Sequence, residues 1–185
     1  ANELLAMEGC HGCGRLKALM IHENAEKALQ AGEIETARAL FQEAFDVGGD
    51  ALDALGLVHT YLAVDPPDLE NAVKSLEAAA PMIARGAVDT ERAFQAMRTK
   101  LLLAAAAARQ DDMVEKVFTI RSEALQDEPE FDLRFRVSQE QFRKGDSTPA
   151  IERISSLLEH SGQYIDPTQR QVMEAAIVVM YSARA

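Results

Sequence analysis

The sequence contains no tryptophan, only two cysteines and few residues that interrupt helices. Of its 185 residues, ten are glycine and six are proline, and aromatic residues make up 5%. Two cysteines are too few for a disulfide framework to hold the fold together. Because helix breakers are sparse, alanine is abundant and β-branched runs are short, the composition favours helix throughout the chain. The length suits one domain or two small ones.

The chain also lacks clustered positive charge and long apolar runs. Its formal net charge is −11, and residues 1–92 hold 16 acidic and 7 basic residues, which gives −9. Binding to nucleic acid or to an anionic membrane surface needs clustered lysine and arginine, so we expect neither. The longest apolar run, Leu101 to Ala108, has eight residues. Because a bilayer-spanning helix needs about 20 apolar residues, we expect no membrane insertion.

The chain begins with Ala1 rather than with methionine, and it shows no signal peptide. We therefore expect either a processed protein or a piece of a longer one, and a removed targeting segment stays open as an alternative. The expected location is the cytoplasm.

The clearest structural signal lies in residues 31–45, AGEIETARALFQEAF. Gly32 ends one helix, and the acids that follow it suit the positive end of the next helix dipole. Apolar residues then recur at three- and four-residue spacing, which predicts a single buried stripe. The stripe consists of Ile34, Ala37, Leu40, Phe41 and Ala44.

Similar patterns predict nine helices, separated at glycine, aspartate and proline. Asp50 is expected to cap the third helix, and Asp166 with Pro167 to open the last one. For each helix the apolar residues at helical spacing are expected to face the core. The apolar faces predicted for the first, third and last helices include Leu16, Leu19, Met20, Leu52, Val172 and Val179.

The stripe of residues 31–45 recurs with a period near 34 residues. Ala37 corresponds to Ala72 and Ala150, and between the last two Met113 sets a register that puts Lys116 at the same position. The spacings are then 35, 44 and 34 residues. One helix pair per 34 residues or so is typical of a solenoid. The alternative is a non-repetitive helical bundle, because apolar residues at helical spacing often indicate nothing more than a core.

In this repeat the chain resembles the tetratricopeptide repeat (TPR) family. The match is best over residues 18–51 and weakest over residues 97–124, where Lys116 replaces a small residue. The resemblance implies an all-α, right-handed α-solenoid of about four TPR-like helix pairs plus a C-terminal capping helix, formed by residues 15–185. It also implies a non-catalytic scaffold or adaptor that binds another protein or peptide in its concave groove. The residues that fit the family's small and large positions are Ala25, Gly32, Ala37, Phe41 and Ala44.

The resemblance further implies which residues face a partner, since the first helix of each pair lines the groove in this family. In the C-terminal half these helices contain arginine and phenylalanine, which suit a peptide with acidic and apolar positions. The alternative assigns phenylalanine to the core and arginine to solvated surface. The predicted partner-binding residues are Arg98, Leu101, Arg109, Phe135, Arg136, Gln139, Phe142 and Arg143. The more acidic N-terminal pairs would present His22, Glu26, Leu29, Asp53 and Tyr61.

The last helix allows two interpretations. Residues 170–181 are apolar over a wide face, which either caps the open end of the array or forms the seam of a homodimer. We favour the cap, because a terminal repeat must cover its exposed face.

The N-terminal segment, residues 1–14, contains the sharpest chemical candidate, CHGCG. Cys10 and Cys13 are spaced so that both thiolates can face one metal ion, and C-x-x-C-G is half of a zinc knuckle. His11 or His22 would add a ligand, or two chains would share the ion. A thiol-redox role is the second interpretation, since a helix N-terminus lowers the pKa of a thiol. The third is a terminal loop whose cysteines have no essential role.

No enzyme motif accompanies this segment. The sequence has no nucleophile elbow, no phosphate-binding loop and no dinucleotide fingerprint, and no histidine pair with zinc-binding spacing. We therefore expect no catalytic residues.

Overall fold

The computed structural model describes residues 13–48, 50–84, 87–122, 130–160 and 165–183. Within these ranges the regular structure is entirely helical, with no strand, so the all-α prediction is confirmed for this part of the chain. A short 3-10 turn, Ala80–Met82, follows the fourth helix. The α-helices are α1 (Cys13–Gln30), α2 (Ile34–Gly48), α3 (Ala51–Leu62), α4 (Leu69–Ala79), α5 (Val88–Ala107), α6 (Asp111–Thr119), α7 (Phe131–Arg143), α8 (Ser147–His160) and α9 (Pro167–Ser182).

The helices form two compact units, which we describe separately. The first unit comprises Ala1–Leu101 and Ile120–Gln126, and the second comprises Leu102–Thr119 and Asp127–Ala185. Residues 15–185, predicted as one repeat domain, are thus divided between two groups of helices. None of the described helices has both the length and the apolar character needed to cross a membrane.

In the first unit, α1 packs on α2, α2 on α3, and α3 on α4. Ala37, Phe41 and Ala44 are fully buried, and the predicted stripe of residues 31–45 is confirmed at these positions. The ring of Phe41 lies against Gly56 on α3, where an added Cβ would come within 2.5 Å of the ring. A glycine at this position therefore allows α3 to approach α2 closely.

Two of the predicted helix caps are present. The Asp50 carboxylate accepts a hydrogen bond from the backbone N–H of Leu52 at 2.8 Å, so α3 begins directly after it. Asp166 accepts from Thr168 and Gln169 and forms a capping box at the start of α9. Each cap satisfies N–H groups that have no partner within the helix.

The second unit has its main core between α8 and α9, with α7 packed on α8. Three phenylalanines of α7, at positions 131, 135 and 142, are half-buried and pack against this core. The fully or nearly fully buried residues of the core are Ala150, Ile151, Ile154, Leu157, Ile165, Met173 and Met180.

Three turns between successive helices share one backbone geometry. Gly32, Arg109 and Gly145 each have a positive φ, of 77°, 57° and 84°. In each turn this residue donates its N–H to the carbonyl three positions before it, and the next residue donates its N–H to the carbonyl five positions before itself. This is the Schellman arrangement, which ends a helix by satisfying its last carbonyls.

The three turns set a register that corrects one prediction. The residue five positions after each turn residue is fully buried, at Ala37, Val114 and Ala150. Val114 therefore occupies the position that the sequence spacing assigned to Lys116, which is exposed. The error arose because Met113 was used as the counterpart of Ile34, whereas the turn register puts Asp111 at that position, two residues earlier.

The predicted apolar face of α1 also included Ala25 and Ala28; it is confirmed at these two residues and corrected nearer the start of the helix. Leu16, Leu19 and Met20 are 52%, 54% and 40% exposed, whereas α1 buries a row of small residues with one isoleucine. That row faces α2 because alanine permits a closer approach than leucine: a Cβ on Gly48 would lie 2.5 Å from the Ala18 Cβ. The buried residues are Ala18, Ile21, Ala25 and Ala28.

Comparable corrections apply to α3 and α9. Leu52, predicted to face the core, is 40% exposed, while Leu55 and Val58 on the same helix are buried as predicted. In α9, Val172 and Val179 are exposed, whereas Met180, also predicted on the apolar face, is buried together with Met173. These methionines are seven residues apart, which is two helical turns, so one narrow row attaches α9 to the core.

Candidate functional site

The candidate site is a groove in the first unit, which we call the N-terminal groove. It lies where α1 faces the end of α2 and the start of α3, and it encloses about 480 Å³. Ligand pockets in proteins commonly enclose roughly 300–1,000 Å³. The residues that line the N-terminal groove are Arg15, Ala18, Leu19, His22, Val47, Gly48, Asp50, Leu52 and Asp53.

Two local features bring these elements together. The close approach of Gly48 to Ala18 holds the end of α2 against the first turns of α1. The Asp50 cap starts α3 at Ala51, so that Leu52 and Asp53 in the first turn of α3 line the groove. The end of α2 and the start of α3 therefore form one wall, and α1 forms the other.

A hydrogen-bonded pair lies at the base of the groove. Nδ1 of His22 is 2.7 Å from Oδ1 of Asp53, and the side chains are 21% and 3% exposed. The His22 ring also meets the Phe41 ring edge-on, with the ring centroids 5.6 Å apart. The pair thus connects α1 to α3 above the buried ring of α2.

The electrostatic surroundings of His22 favour its protonated form. The hydrogen bond that His22 donates to Asp53 raises the pKa of His22 above its ordinary value of 6.5, and the charges of Asp53, Glu26 and Asp50 act in the same direction. Partial burial opposes this shift without cancelling it. These three carboxylates therefore favour a positive charge on the His22 ring.

The rim of the groove is apolar and exposed. Leu19 on α1, Val47 on α2 and Leu52 on α3 line the opening and are 54%, 37% and 40% exposed. Leu16, one turn before Leu19, extends the exposed apolar surface along α1. Contiguous apolar surface of this kind, bordered by charged residues, commonly marks an interaction site.

Arg98 and Leu101, predicted to line a partner groove, are instead buried in the first unit. They are 2% and 0% exposed and form a row with Phe94, which is also fully buried. Residues 94, 98 and 101 follow one another at four- and three-residue spacing and so share one face of α5. Because this is the packed face, neither residue is accessible to a partner.

In the second unit, the predicted residues of α7 divide into two groups. Arg136, Gln139 and Arg143 are exposed and share one face of the helix, since their spacings are three and four residues. Phe135 and Phe142 are half-buried and pack against the core, as the alternative interpretation expected. The structure thus gives α7 an exposed polar row, and it does not present the two phenylalanines as anchors.

Arg109 has a structural contact in this unit. Its Nη2 donates a hydrogen bond to the backbone carbonyl of Lys144, in the turn before α8. The guanidinium lies close to Gly145, where an added Cβ would be 3.1 Å from the same nitrogen. Arg109 therefore connects the α5–α6 turn to the α7–α8 turn, a role that the sequence did not indicate.

The predicted metal ligands are only partly within the described residues. Cys10 and His11 lie outside them, and so does the side chain of Cys13. His22 uses Nδ1 for Asp53, which leaves Nε2 as the nitrogen that a metal ion would have to use. No group of three or more metal-binding side chains occurs among the residues that the structure describes.

One polar cluster in the second unit was missed by the sequence interpretation. Arg153 on α8 is 9% exposed and donates to Gln141 on α7 and, at 2.5 Å, to Glu115 on α6. Gln141, fully buried, in turn donates to Asp111. A single arginine in an amphipathic helix normally indicates surface, so nothing in the pattern of α8 predicted this cluster.

Comparison with known proteins gave no match of significant similarity: no family model, no curated protein and no solved structure matches the chain. The resemblance to the TPR family therefore stays a prediction.

Proposed function

We propose that this protein is a non-catalytic protein-interaction module and that a partner docks in the N-terminal groove. The observation behind this proposal is the exposure of Leu19, Val47 and Leu52 around one open cavity. Burial of one large apolar side chain stabilises a protein by about 1.5–3 kcal/mol, and a side chain that stays in water does not contribute this free energy. A partner that covers the groove would recover part of this free energy.

The polar groups of the groove favour binding over catalysis. His22 and Asp53 resemble the base and orienting acid of a hydrolase, but such a pair needs a nucleophile within hydrogen-bonding distance. The described lining residues include no serine, threonine, cysteine, lysine or tyrosine. His22 is instead engaged with a buried carboxylate, where it joins two helices.

The repeat architecture belongs to the same proposal. We propose that the helix pairs form a right-handed, TPR-like α-solenoid, with α9 as its C-terminal cap. The shared geometry of the turns at Gly32, Arg109 and Gly145 supports repeated helix pairs. Attachment of α9 to the core through Met173 and Met180 supports a capping role, and a homodimer seam over its exposed valines is the alternative.

A zinc site at Cys10 and Cys13 is the competing proposal, and one observation favours His22 as a further ligand. Metal-binding histidines commonly donate their second ring N–H to a carboxylate, which fixes the orientation of the ring, and His22 has such a partner in Asp53. Metal analysis of the purified full chain and of the Cys10→Ser/Cys13→Ser variant tests it. The site would be excluded if the unmodified chain contained well below one zinc ion per chain, or per pair of chains, and the variant contained the same amount.

The interaction proposal is tested by affinity capture with a groove variant and a matched control. The groove variant is Leu19→Ser with Leu52→Ser. The control is Val178→Ser with Val179→Ser, which makes equivalent changes at exposed positions of α9. We expect the groove variant to lose the partners that the unmodified chain and the control both retain. Equal capture by all three chains, with their melting temperatures unchanged, would exclude the N-terminal groove as the docking site.

A further inference from the structure

We propose that the N-terminal groove binds a segment of a partner protein in which large apolar side chains lie next to lysine or arginine. This inference rests on the proposed function and specifies the chemistry of the partner. It follows from the combination of exposed apolar residues and carboxylates in the lining of the same groove.

The apolar part of the partner follows from three apolar residues that line the groove. Leu19, Val47 and Leu52 come from three different helices and converge on one cavity. Large apolar side chains of a partner that enter the cavity would contact these residues and displace water from them. Burial of such a side chain is the main source of binding free energy at interfaces of this kind.

The basic part of the partner follows from the charges around the cavity. Asp53 lies at the base, Asp50 is exposed at the start of α3, and Glu26 lies further along α1. Arg15 also lines the cavity, and Lys17 on the same helix pairs with Glu43 on α2 at 3.7 Å. The surrounding region is acidic as well, since residues 1–92 have a net charge of −9 from 16 acids and 7 bases. Complementary charge would select a basic partner and speed its encounter.

A chain segment fits this surface better than a compact small molecule. The cavity is open, and exposed apolar side chains continue beyond it along α1 at Leu16 and Met20. A small molecule held in the cavity would leave these side chains in water. A peptide would cover the cavity and the adjoining face of α1 together.

Protonation of His22 should oppose the binding of a basic segment. The groups that act on His22 are Asp53 and Asp50 from the α3 side and Glu26 on α1, and α2 contributes the uncharged ring of Phe41. When His22 loses its proton, the Asp53 carboxylate is no longer balanced, and the groove becomes more negative. By linkage, affinity for a basic peptide should rise with pH above 6.5, the ordinary pKa of histidine, as His22 deprotonates.

The test uses the full chain and three series of fluorescent peptides, measured by anisotropy. Each peptide contains two leucines flanked by lysines, by glutamines or by glutamates. We expect the lysine series to bind about tenfold more tightly than the glutamine series, and the glutamate series more weakly still. A preference for glutamine or glutamate, or no binding of any series, would overturn the inference.

A charge variant that preserves the fold sharpens this test. Asp50→Asn removes the exposed carboxylate but keeps a good helix cap, because asparagine caps as well as aspartate. Asp166→Asn makes the same change at the cap of α9 and serves as the control. We expect only Asp50→Asn to reduce the preference for lysine, by roughly threefold for one partly screened charge. Equal effects of both variants would contradict the proposed position of the basic residue.

Two further outcomes separate this inference from the proposed function. If capture of partners depends on Leu19 and Leu52 but the lysine preference is absent, the interaction module stands and the inference fails. If peptides bind only after Leu4→Ser with Leu5→Ser in the full chain, the groove belongs to the chain's own N-terminal segment, and the inference fails. Failure of the groove variant to alter capture would instead remove the proposed function itself.

Discussion

The Nδ1 atom of His22 lies 2.7 Å from the Oδ1 atom of Asp53, and this hydrogen bond joins α1 to α3 at the base of the N-terminal groove. Asp53 is nearly completely buried, and a buried carboxylate without a hydrogen-bonding partner would destabilise the fold. The bond also holds the His22 ring edge-on against Phe41. One pair thus links the core of the first unit to the surface that we propose for partner binding.

The first prediction concerns the charge state of this pair. In Asp53→Asn we expect the pKa of His22 to fall, because the hydrogen bond and the nearest negative charge that raise it are lost. Since the pKa of His22 is raised in the folded chain, the stabilisation from its proton is complete below pH 6.5 and disappears as pH rises through the raised value. The variant should lose about 1–2 kcal/mol below that pH and less above it.

Histidine NMR titration and urea unfolding across the same pH range measure these two effects. Glu23→Gln, at an exposed position of α1, is the control for a lost carboxylate. An unchanged His22 titration in Asp53→Asn would show that the pair does not form in solution.

The second prediction concerns the contact between Phe41 and Gly56. In Gly56→Ala the new methyl group would meet the Phe41 ring at 2.5 Å, so one of the two helices must move. We expect a loss of about 1–3 kcal/mol, typical of an overpacked core. Gly14→Ala, with its nearest atom 3.9 Å away, should be neutral or slightly stabilising because alanine favours helix. If denaturant unfolding shows both variants equally stable, the close approach of α2 and α3 is incorrect.

The third prediction separates two properties of Arg109, its backbone conformation and its hydrogen bond to Lys144. Arg109→Ala keeps the positive φ of 57° and loses the bond, so it should cost about 1 kcal/mol. Arg109→Gly also loses the bond but relieves about 1 kcal/mol of backbone strain, so its stability should be close to that of the unmodified chain. Thermal unfolding of the two variants should therefore rank glycine above alanine, and the reverse order would contradict the turn geometry.

The fourth prediction concerns the buried cluster around Arg153. Arg153→Ala would remove the donor to the side-chain oxygen of the fully buried Gln141 and open a cavity, at a cost of about 2–4 kcal/mol. Arg153→Met fills the same space without the hydrogen bonds and should cost less. Arg143→Ala is the control, because Arg143 is exposed and pairs with its helical neighbour Glu140 at 2.7 Å. This variant should lose no measurable stability. Equal stability of all three variants in urea would show that Arg153 is not buried.

Helix content and several boundaries were predictable from the sequence because they depend on local interactions. Gly32 ends α1, Asp50 caps α3 and Asp166 caps α9 through contacts within a few residues. The buried row of Ala37, Phe41 and Ala44 was also predictable, since α2 has one apolar stripe and no competing one.

The groove was not predictable, because α1 has two overlapping apolar rows and the sequence does not say which row faces α2. The choice depends on the contact of Ala18 with Gly48, thirty positions along the chain, which only the packed structure reveals. Arg98 and Leu101 were wrongly assigned to a partner surface for the same reason: their burial depends on the tertiary packing around α5, which the sequence does not show. The sequence predicted that His22 and Asp53 both face a partner, but it did not predict the hydrogen bond between them.

The most direct test of the central claim is site-specific photocrosslinking in cells. A photoreactive residue replaces Leu19 in one chain and Val178 on α9 in another, both exposed apolar positions. If the N-terminal groove binds a partner, position 19 should crosslink to a protein that position 178 does not reach, and Leu52→Ser should reduce the yield. Crosslinks from position 178 alone, or equal products from both positions, would contradict the account.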